Sequence, residues 1–427
     1  MDKYDYVIVG SGAGGATLAR ELARKNKRPL VVEAGKLEKT VGTYGDSTRF
    51  YDAHGIGLLK LPKMSREGSV LWRTFMAGGS TVVSCGNGVR CLEKELAELG
   101  ILLEAELSEA ESELNVAPIA EKLLSDGSRE IMRASRELGY SMELMPKFIS
   151  QKGCRKCGQC VLGCPNNAKW TALDYLKEAE ASGAQIMYGT RCISVIEENG
   201  RVKGIKAIGP QGAVNIMADV VIIAAGGLGT PVILQNSGIK NAGTGLFIDF
   251  LVNTYGTTDG LNQIHEPTMT LVNHDFHQSH GFILSPFVNH PKILRIMELG
   301  VRGLNTQDKK IIGMMTKICD ESIGQVYPDG TVSKSVTKKD REKLDEGSRI
   351  SKEILTKAGV KKVFVSRVQG AHPGGTAAVG KVVDSNLQTQ VNNLFVCDAS
   401  VLPMAPGLPP ILTIVALAKR LAKLLAP

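Results

Sequence analysis

The chain has 427 residues, of which 43% are hydrophobic and 22% charged, so it can build the core of one two-lobed enzyme or of two to three joined domains. Aromatic residues make up only 5%, which argues against a surface that reads single-stranded nucleic acid by base stacking. The dispersed net charge of +8 suits an anionic cofactor or an acidic electron carrier. Neither a secretory leader nor an apolar run of about 20 residues is present, so we expect a cytoplasmic protein without membrane association.

The chain opens with a β-α-β pattern around a glycine-rich turn. Apolar residues predict a strand over 5–9, a helix over 16–25 and a second strand over 29–33. The turn has the G-x-G-x-x-G spacing, whose glycines allow a tight turn, close approach to a diphosphate, and close packing of helix on strand. The N-terminus of the helix would present free N–H groups to that diphosphate.

Glu33 ends the second strand, where an acidic side chain can accept hydrogen bonds from the adenosine ribose. Its negative charge would repel a 2′-phosphate, so a free ribose is implied. On these residues alone, the dinucleotide is either FAD or NAD. The residues predicted to contact it are Gly10, Gly12, Ala13, Gly14, Gly15, Glu33, Ala34 and Gly35.

A cysteine-rich segment follows a charged, helical stretch over 92–143. Four cysteines before Pro165 have the C-x2-C-x2-C-x3-C-P spacing of bacterial ferredoxins, which predicts an iron–sulfur cluster, 4Fe-4S or 3Fe-4S. Structural zinc and free or disulfide-bonded cysteines are the alternatives. The predicted ligands are Cys154, Cys157, Cys160 and Cys164. In two-cluster ferredoxins the fourth cysteine binds the other cluster, so a distant cysteine could replace Cys164, namely Cys85, Cys91 or Cys192.

The same patterns predict the remaining elements. They are a helix over 172–181, a hairpin over 191–208, strands over 219–225, 268–284 and 393–398, and helices over 338–358 and 411–425. Three short apolar strands far apart in the sequence each end in a small-residue loop, which indicates one sheet assembled from discontinuous pieces. His274, His277 and His280 lie in the strand-like 268–284 stretch, where alternation would scatter them over both faces and disfavour a metal site.

Several segments together resemble the glucose–methanol–choline (GMC) oxidoreductases, a FAD-dependent family. The stretches that carry the resemblance, in the family's order, are 7–15 with 31–35, Ala77-Gly-Gly-Ser-Thr81 followed by Asn87, 224–231, His372-Pro-Gly-Gly-Thr376, 396–403 and 410–414. They cover both ends of the chain. The stretch over about 245–346, where the family selects its substrate, resembles the family only loosely. The resemblance therefore implies FAD rather than NAD.

The resemblance also implies further flavin contacts. Asp398 would bond a ribityl hydroxyl, and the helix that begins after Pro410 would direct its positive end toward the flavin pyrimidine. Val195 corresponds to a strand near the adenine. The contacts added in this way are Gly78, Gly79, Ser80, Thr81, Val195, Ala225, Gly226, Asp398, Ala399 and Pro410.

The candidate catalytic residues are His372 and Asn87. By resemblance, His372 takes the substrate hydroxyl proton while hydride leaves the same carbon. The family's second active-site residue, a His or Asn before a proline, corresponds to Pro409, which has no side-chain donor or acceptor. Either Asn87 or a histidine of the middle region supplies the missing hydrogen bond, or the reaction is not ordinary alcohol oxidation.

These patterns predict an α/β fold with a Rossmann-type FAD-binding domain built from discontinuous segments and an α+β substrate domain packed on it. The predicted FAD domain comprises 1–100, 186–244 and 360–427. A helical segment over 101–185 carries the iron–sulfur cysteines at 150–170, and 245–359 forms the substrate domain.

The predicted function is FAD-dependent dehydrogenation of an alcohol or polyol. Electrons would leave through the iron–sulfur cluster to ferredoxin or another redox subunit, and a small molecule rather than nucleic acid would be the substrate. One alternative is a ferredoxin-fed reductase or desaturase of an unsaturated, isoprenoid-like substrate. The other is an electron-transfer flavoprotein subunit without a substrate of its own.

Overall fold

The computed structural model describes residues 3–54, 61–294, 298 and 310–427. The helices are α1 Ala13–Arg24, α2 Tyr44–Phe50, α3 Glu93–Glu98, α4 Glu104–Glu113, α5 Asp126–Glu137, α6 Ala172–Ala181, α7 Gly226–Asn236, α8 His277–His280, α9 Pro291–Ile293, α10 Lys338–Lys357 and α11 Ile411–Leu425. Within these described ranges, no helix is both long enough and apolar enough to cross a bilayer.

The strands range from two to twelve residues in length. They are β1 Tyr4–Val9, β2 Pro29–Val32, β3 Ala53–His54, β4 Leu61–Pro62, β5 Val70–Leu71, β6 Ala117–Pro118, β7 Glu143–Leu144, β8 Pro146–Lys147, β9 Gln185–Met187, β10 Arg191–Glu198, β11 Arg201–Gly209, β12 Gly212–Ile223, β13 Thr244–Leu246, β14 Phe250–Thr257, β15 Leu271–Val272, β16 Phe282–Pro286, β17 Ile311–Ile318, β18 Gly324–Val326, β19 Val332–Ser333, β20 Val363–Val365, β21 Gln369–Gly370 and β22 Leu394–Val396.

The first large sheet has the order β10-β11-β12-β1-β2-β9, and β22 also pairs with β12. β12 pairs in parallel with β1 and β22, and β2 pairs in parallel with β1 and β9. On the other side of β12, strands β10, β11 and β12 form an antiparallel meander. Strands from the start, the middle and the end of the chain thus share one sheet, which confirms the prediction of a sheet built from discontinuous pieces.

Helices cover the parallel part of this sheet. Val7, Ile8 and Val31 are fully buried, as expected for parallel strands that read as continuous apolar runs. α1 packs against α6 and α11, and α11 also contacts α4. The Rossmann-type arrangement predicted from the sequence is therefore present.

The second large sheet has the order β16-β17-β14-β21-β5, with β20 also paired to β14. α10 packs against β14, β16 and β17, and against α5. α10 begins with a capping box in which the Thr337 side chain accepts from the Asp340 N–H and Asp340 bonds back to Thr337. This sheet has its own core, which includes Leu284, Ile312 and Ile354.

The predicted helices over 172–181 and 411–425 coincide with α6 and α11. The helical stretch over 92–143 divides: α4 packs on α11 in the first core, whereas α5 packs on α10 in the second. One expectation is wrong, because the 268–284 stretch is not continuous strand and holds helix α8, which ends at Gly281 in the left-handed region (φ 72°).

Candidate active site

A cavity of about 680 Å³ lies between the two sheets, within the range of about 300–1,000 Å³ usual for small-molecule sites. Its first wall is formed where β1, β2 and β12 end, and the residues that follow these strands line it. Ligands of open parallel sheets bind outside the carboxyl ends of the strands. Its second wall comes from β14, β17 and β21, and includes Leu251, Met315 and Gln369.

The glycine-rich turn leaves room for an anion at the start of α1. A Cβ atom at Gly12 would meet no atom within 4 Å, whereas one at Gly15 would lie 2.0 Å from the carbonyl oxygen of Gly10. Gly12 is the N-cap of α1, and no side chain caps this helix end. Gly15 therefore allows close packing, and Gly12 leaves open space beside free N–H groups that can bind a diphosphate.

Glu33 is held in place by the same turn. One of its carboxylate oxygens accepts from the N–H of Ser11 at 2.9 Å and from the Ser11 hydroxyl at 2.6 Å. The other accepts from the N–H of Gly35 at 2.6 Å. Carboxylate oxygens have further lone pairs, and Glu33 lines the cavity, so it can still accept from ribose hydroxyls.

Four cations that sequence reasoning missed line the same cavity: Lys317 in the second wall, and Lys63, Arg73 and Arg191. The guanidinium of Arg73 lies 4.1 Å from the Phe75 ring centre and 3.7 Å from an Asp52 carboxylate oxygen. The positive charges of Lys63, Arg73 and Arg191 complement a diphosphate. These three residues stand singly in the sequence, so no local pattern marks them.

Most of the predicted cofactor contacts line the cavity. These are Gly10, Gly12, Ala13, Gly14, Glu33, Ala34, Gly79, Ser80, Thr81, Ala225, Gly226, Asp398, Ala399 and Pro410. Four others do not line it, namely Gly15, Gly35, Gly78 and Val195. Val195 is buried in the first core, and its N–H donates to the Ser237 hydroxyl at 2.8 Å. Cys192 and Ile193 of the same strand line the cavity instead.

Asp398 joins the end of β22 to the start of α7. Its carboxylate accepts from the N–H of Gly226 at 2.8 Å, the hydroxyl of Thr230 at 2.5 Å and the N–H of Ser400 at 2.7 Å. Burial raises the pKa of this carboxyl. Asp398 therefore lines the cavity and also holds together the start of α7 and the residues that follow β22.

His372 lies in the loop that follows β21, and it lines the cavity with a quarter of its side chain exposed. The N–H groups of Ala371 and His372 both donate to the carbonyl of Ile248, at 2.9 and 3.0 Å. Nδ1 of His372 lies 2.9 Å from a carboxylate oxygen of the fully buried Asp249. The imidazole is thus fixed at one nitrogen while the ring faces the cavity.

Asp249, which sequence reasoning also missed, directs this imidazole. Its backbone is in the left-handed region (φ 49°), and its second oxygen accepts from the N–H of Gly407 at 3.0 Å. Such conformations are concentrated at functional sites. Burial raises the pKa of Asp249 to about 7. Burial, and then the charge of Lys317, lower the pKa of His372 well below its usual value, so the imidazole is neutral at pH 7.

The expected substitutes for the side chain missing at Pro409 are otherwise engaged. Asn87 lines the cavity, but its Nδ2 lies 3.2 Å from the Met269 sulfur and its oxygen accepts from the buried ammonium of Lys147. Burial lowers the pKa of Lys147 to about 8. The middle-region histidines do not line the cavity, and Nε2 of His277 lies 2.9 Å from the Pro406 carbonyl.

The cavity has a group of apolar residues on and beside its second wall. They include Leu251, Met269, Phe287, Ile293 and Met315. Asn253, Asn289 and Gln369 also line the cavity, and their amides donate to one oxygen of the buried Glu298, at 3.2, 2.9 and 2.9 Å. This network fixes the polar side chains of the second wall.

The four cysteines of the ferredoxin-like run line a second, smaller cavity together with Lys169. The hydrogen bonds to sulfur come from the backbone of Lys156 to Cys154, of Gln159 to Cys157 and of Ala168 to Cys164. Cys85 and Cys192 line the large cavity instead, and Cys91 bonds to Thr413.

A single-ion metal site is not formed by these thiols. Among the described residues, the one group of ligand atoms within 4.8 Å of one another is Glu21, Glu109 and Glu113. No histidine of the described ranges belongs to such a group either. The three carboxylates are close to Lys419, with distances of 3.2, 2.7 and 3.0 Å, so they form an ion-pair cluster.

Comparison with known proteins identifies relatives over the whole length. Models described as GMC oxidoreductase match residues 4–251 and 321–418. An uncharacterized protein of Methanocaldococcus jannaschii is 31% identical over 428 residues, which cover 98% of this chain and 99% of that protein. A long-chain-alcohol oxidase of Arabidopsis thaliana is 25% identical over 97% of this chain and 67% of its own length. The structure of pyridoxine 4-oxidase from Mesorbium loti shares the fold, with a TM-score of 0.79 at 16% identity and 99% coverage of both chains.

Proposed function

The chain belongs to the glucose–methanol–choline oxidoreductase family and is a FAD-dependent oxidoreductase of CH–OH donors, and we propose that it dehydrogenates an alcohol with an apolar body. In this proposal His372 is the base. The observation that carries the proposal is the position of His372, which faces the cavity while its Nδ1 is held 2.9 Å from buried Asp249.

The residues at the first wall fit FAD. The diphosphate would lie at Gly12 and the N-terminus of α1, Glu33 would accept from the adenosine ribose, and Arg73 would offset the diphosphate charge. Bound FAD supplies the acceptor for the hydride that leaves the alcohol carbon. Asp398 and the start of α11 would lie beside the flavin end of the cofactor.

His372 would take the hydroxyl proton at Nε2. With Asp249 ionised, Nδ1–H donates to its carboxylate, so Nε2 carries the lone pair that accepts the proton. The buried carboxylate also stabilises the imidazolium once it has formed. A neutral imidazole at pH 7 is the form that this role requires.

The apolar residues of the second wall favour an apolar alcohol over a polyol, because the amide groups of Asn253 and Gln369 on the same wall already donate to Glu298. Leu251, Phe287 and Met315 offer no hydrogen bonds to additional hydroxyl groups. The relative from Arabidopsis thaliana carries the name of a long-chain-alcohol oxidase, which agrees with this lining. We therefore propose a primary alcohol on a hydrocarbon body as the substrate class.

The experiment is anaerobic mixing of the purified flavoprotein with dodecan-1-ol, pyridoxine or sorbitol while the flavin absorbance is followed. The proposal predicts bleaching by dodecan-1-ol and little bleaching by sorbitol. Bleaching by sorbitol alone would contradict the substrate class. No bleaching by any alcohol, together with oxidation of the chemically reduced flavin by an unsaturated isoprenoid, would support the reverse, ferredoxin-fed reaction instead.

We further propose that the four cysteines hold an iron–sulfur cluster that passes electrons out one at a time. Their ferredoxin-like spacing and the shared cavity support this, as do the N–H groups directed at three of the sulfurs. Around one zinc ion, sulfurs would lie about 3.8 Å apart, and these thiols form no group that tight. Polynuclear clusters hold their thiolates farther apart.

The position of the cysteines suits electron transfer from flavin. Cys160 lines the small cavity, and the next residue, Val161, lines the large one. The Tyr51 hydroxyl donates to the Val161 carbonyl at 2.5 Å, and Tyr51 also lines the large cavity. The cluster site and the flavin-binding cavity would therefore be bordered by consecutive residues of the chain, which favours electron transfer to ferredoxin or another redox subunit.

Anaerobic purification followed by iron, sulfide and flavin analysis tests the cluster. The proposal predicts iron and acid-labile sulfide in constant ratio to FAD, together with an electron paramagnetic resonance signal. FAD without iron after reconstitution with iron and sulfide would contradict it. Zinc in place of iron would favour a structural metal site.

A further inference from the structure

Lys317 is a buried lysine with no hydrogen-bond partner. It lies in β17, between Leu251 of β14 and Ile283 of β16 in the sheet register, and only 1% of the residue is exposed. Its ammonium nitrogen makes no hydrogen bond in the structure. Lys317 also lines the large cavity, so this buried and unpartnered nitrogen belongs to a residue at the wall of the site that His372 faces.

The other buried lysines in the described ranges have partners. Lys334 lies 2.7 Å from Asp320, and Lys419 lies 2.7 Å from Glu109. A buried charge without such a partner is strongly unfavourable, so proteins keep one mainly where function requires it. The charged and titratable groups that act on Lys317 are Asp249, Cys85, Cys91, Cys319 and His372.

Few other side-chain polar atoms of the cavity-lining residues are both buried and unpartnered. Of the buried, unpartnered side-chain atoms in the described parts of the chain, only the ammonium of Lys317 and the amide oxygen of Asn253 belong to cavity-lining residues. Pro409 has no side-chain donor, and the Asn87 amide is engaged by Lys147 and Met269. Lys317 is therefore the free buried donor at this wall.

We propose that Lys317 donates a hydrogen bond to the substrate oxygen at the reacting carbon and thereby takes the place of the side chain that Pro409 lacks. This role rests on the proposed alcohol oxidation. The O–H bond breaks and its proton passes to Nε2 of His372, while the C–H bond breaks and its hydride passes to bound FAD, leaving a carbonyl. Lys317 keeps its own protons and stabilises the negative charge that develops on the oxygen.

Lys317→Met removes the donor and keeps the length of the side chain. We expect this variant to bind FAD and to melt at or above the wild-type temperature, because no hydrogen bond is lost. Its flavin should be reduced by dodecan-1-ol about 100-fold more slowly, the usual effect of deleting one donor to a developing oxyanion. Lys317→Arg keeps a donor and should retain a rate at least tenfold above that of the Met variant.

Lys419→Met is the matched control, since Lys419 of α11 is equally buried but is paired with Glu21 of α1 and Glu109 of α4. It should melt at a lower temperature and keep the wild-type rate of flavin reduction per bound FAD. A Lys317→Met variant that behaves in the same way, with reduced stability and an unchanged rate, would overturn the role of Lys317.

A measurement on the wild-type holoenzyme covers the case in which the variant does not fold. Dodecanoate, whose carboxylate resembles the developing oxyanion, should perturb the flavin spectrum and compete with dodecan-1-ol. Absence of competition would overturn the inference. If no alcohol reduces the wild-type flavin, the proposed function fails, whereas wild-type reduction with an unimpaired Lys317→Met variant refutes the Lys317 role alone.

Discussion

His372 and Asp249 are 123 positions apart, and the tertiary structure brings them together. The histidine stands in a recognisable motif, so the sequence alone identifies it as the candidate base. Asp249 stands just before β14 in the part of the chain with the loosest resemblance, and nothing around it marks it as a partner of His372. The hydrogen bonds of Ala371 and His372 to Ile248 hold the two segments side by side.

Asp249→Asn tests the role of this pair. The amide can donate to Nδ1 and would then leave the proton on Nε2, the wrong tautomer for a base, so we expect flavin reduction to slow about 100-fold or more. Wild-type reduction should fall as pH drops through about 7, because Asp249 then takes up a proton. In the variant, this acid limb should move below the usual histidine pKa, because the His372 pKa is lowered by burial.

Stopped-flow bleaching of the flavin by dodecan-1-ol, measured at a series of pH values, gives both the rate of flavin reduction and its pH dependence. The FAD content of the variant should equal that of the wild type, which separates the effect from loss of cofactor. An Asn variant with the wild-type rate and the wild-type pH profile would show that Asp249 does not act on His372.

Two glycines of the first turn make different contributions to α1. Gly15 lies where a Cβ atom would collide with the carbonyl of Gly10, 2.0 Å away. Gly12 faces open space within 4 Å. Gly15 therefore allows close packing, and Gly12 allows a ligand to approach. The G-x-G-x-x-G motif implies this difference, and the contacts of the two glycines agree with it.

Paired variants separate these two contributions. Gly12→Ala should leave the melting temperature of the apoprotein unchanged and weaken FAD binding at least tenfold, because the methyl group occupies the space of the diphosphate. Gly15→Ala should lower the melting temperature of the apoprotein, because helix and strand must separate. The measurements are thermal melting of apoprotein and titration with FAD, and equal loss of stability in both variants would contradict the assignment.

Variants of the cysteine segment test the proposed iron–sulfur cluster directly. Cys160→Ala should lose iron and sulfide but keep FAD, and dodecan-1-ol should still bleach the flavin. The rate of electron transfer from flavin to oxidised ferredoxin should then fall at least tenfold, because the proposed electron path passes the small cavity lined by Cys160. Cys319→Ala is the control, since Cys319 lines neither cavity and both properties should persist. Equal rates of ferredoxin reduction by the two variants would refute electron export through this segment.

At the scale of the whole molecule, two cores meet at one cavity, and the sequence predicts the first core much better than the second. The strand at the chain start, the glycine turn and α11 are set by local patterns, so their positions follow from the residues themselves. In the second core, β14 pairs with β17, β20 and β21 across long stretches of chain, and local patterns do not specify that register. Lys317 and Asn253 become neighbours of the cavity only through this pairing.

The sequence contains a weak indication that Lys317 is functional. Lys317 is the one charged residue of β17, which otherwise reads as an apolar strand and is buried throughout. A lone lysine in a strand buried on both faces indicates a functional group, but only once the strand is known to be buried. By contrast, the isolated positions of Lys63, Arg73 and Arg191 carry no signal, because their shared role depends on the cavity that they surround.

The rate of anaerobic flavin reduction by dodecan-1-ol, compared between His372→Asn and the wild type, tests whether His372 is the base. The variant should keep its FAD, because His372 contributes to the substrate end of the cavity, and should be reduced about 100- to 10,000-fold more slowly, the range for loss of a general base. A variant that retains FAD and is bleached at the wild-type rate would contradict the assignment of His372 as the base.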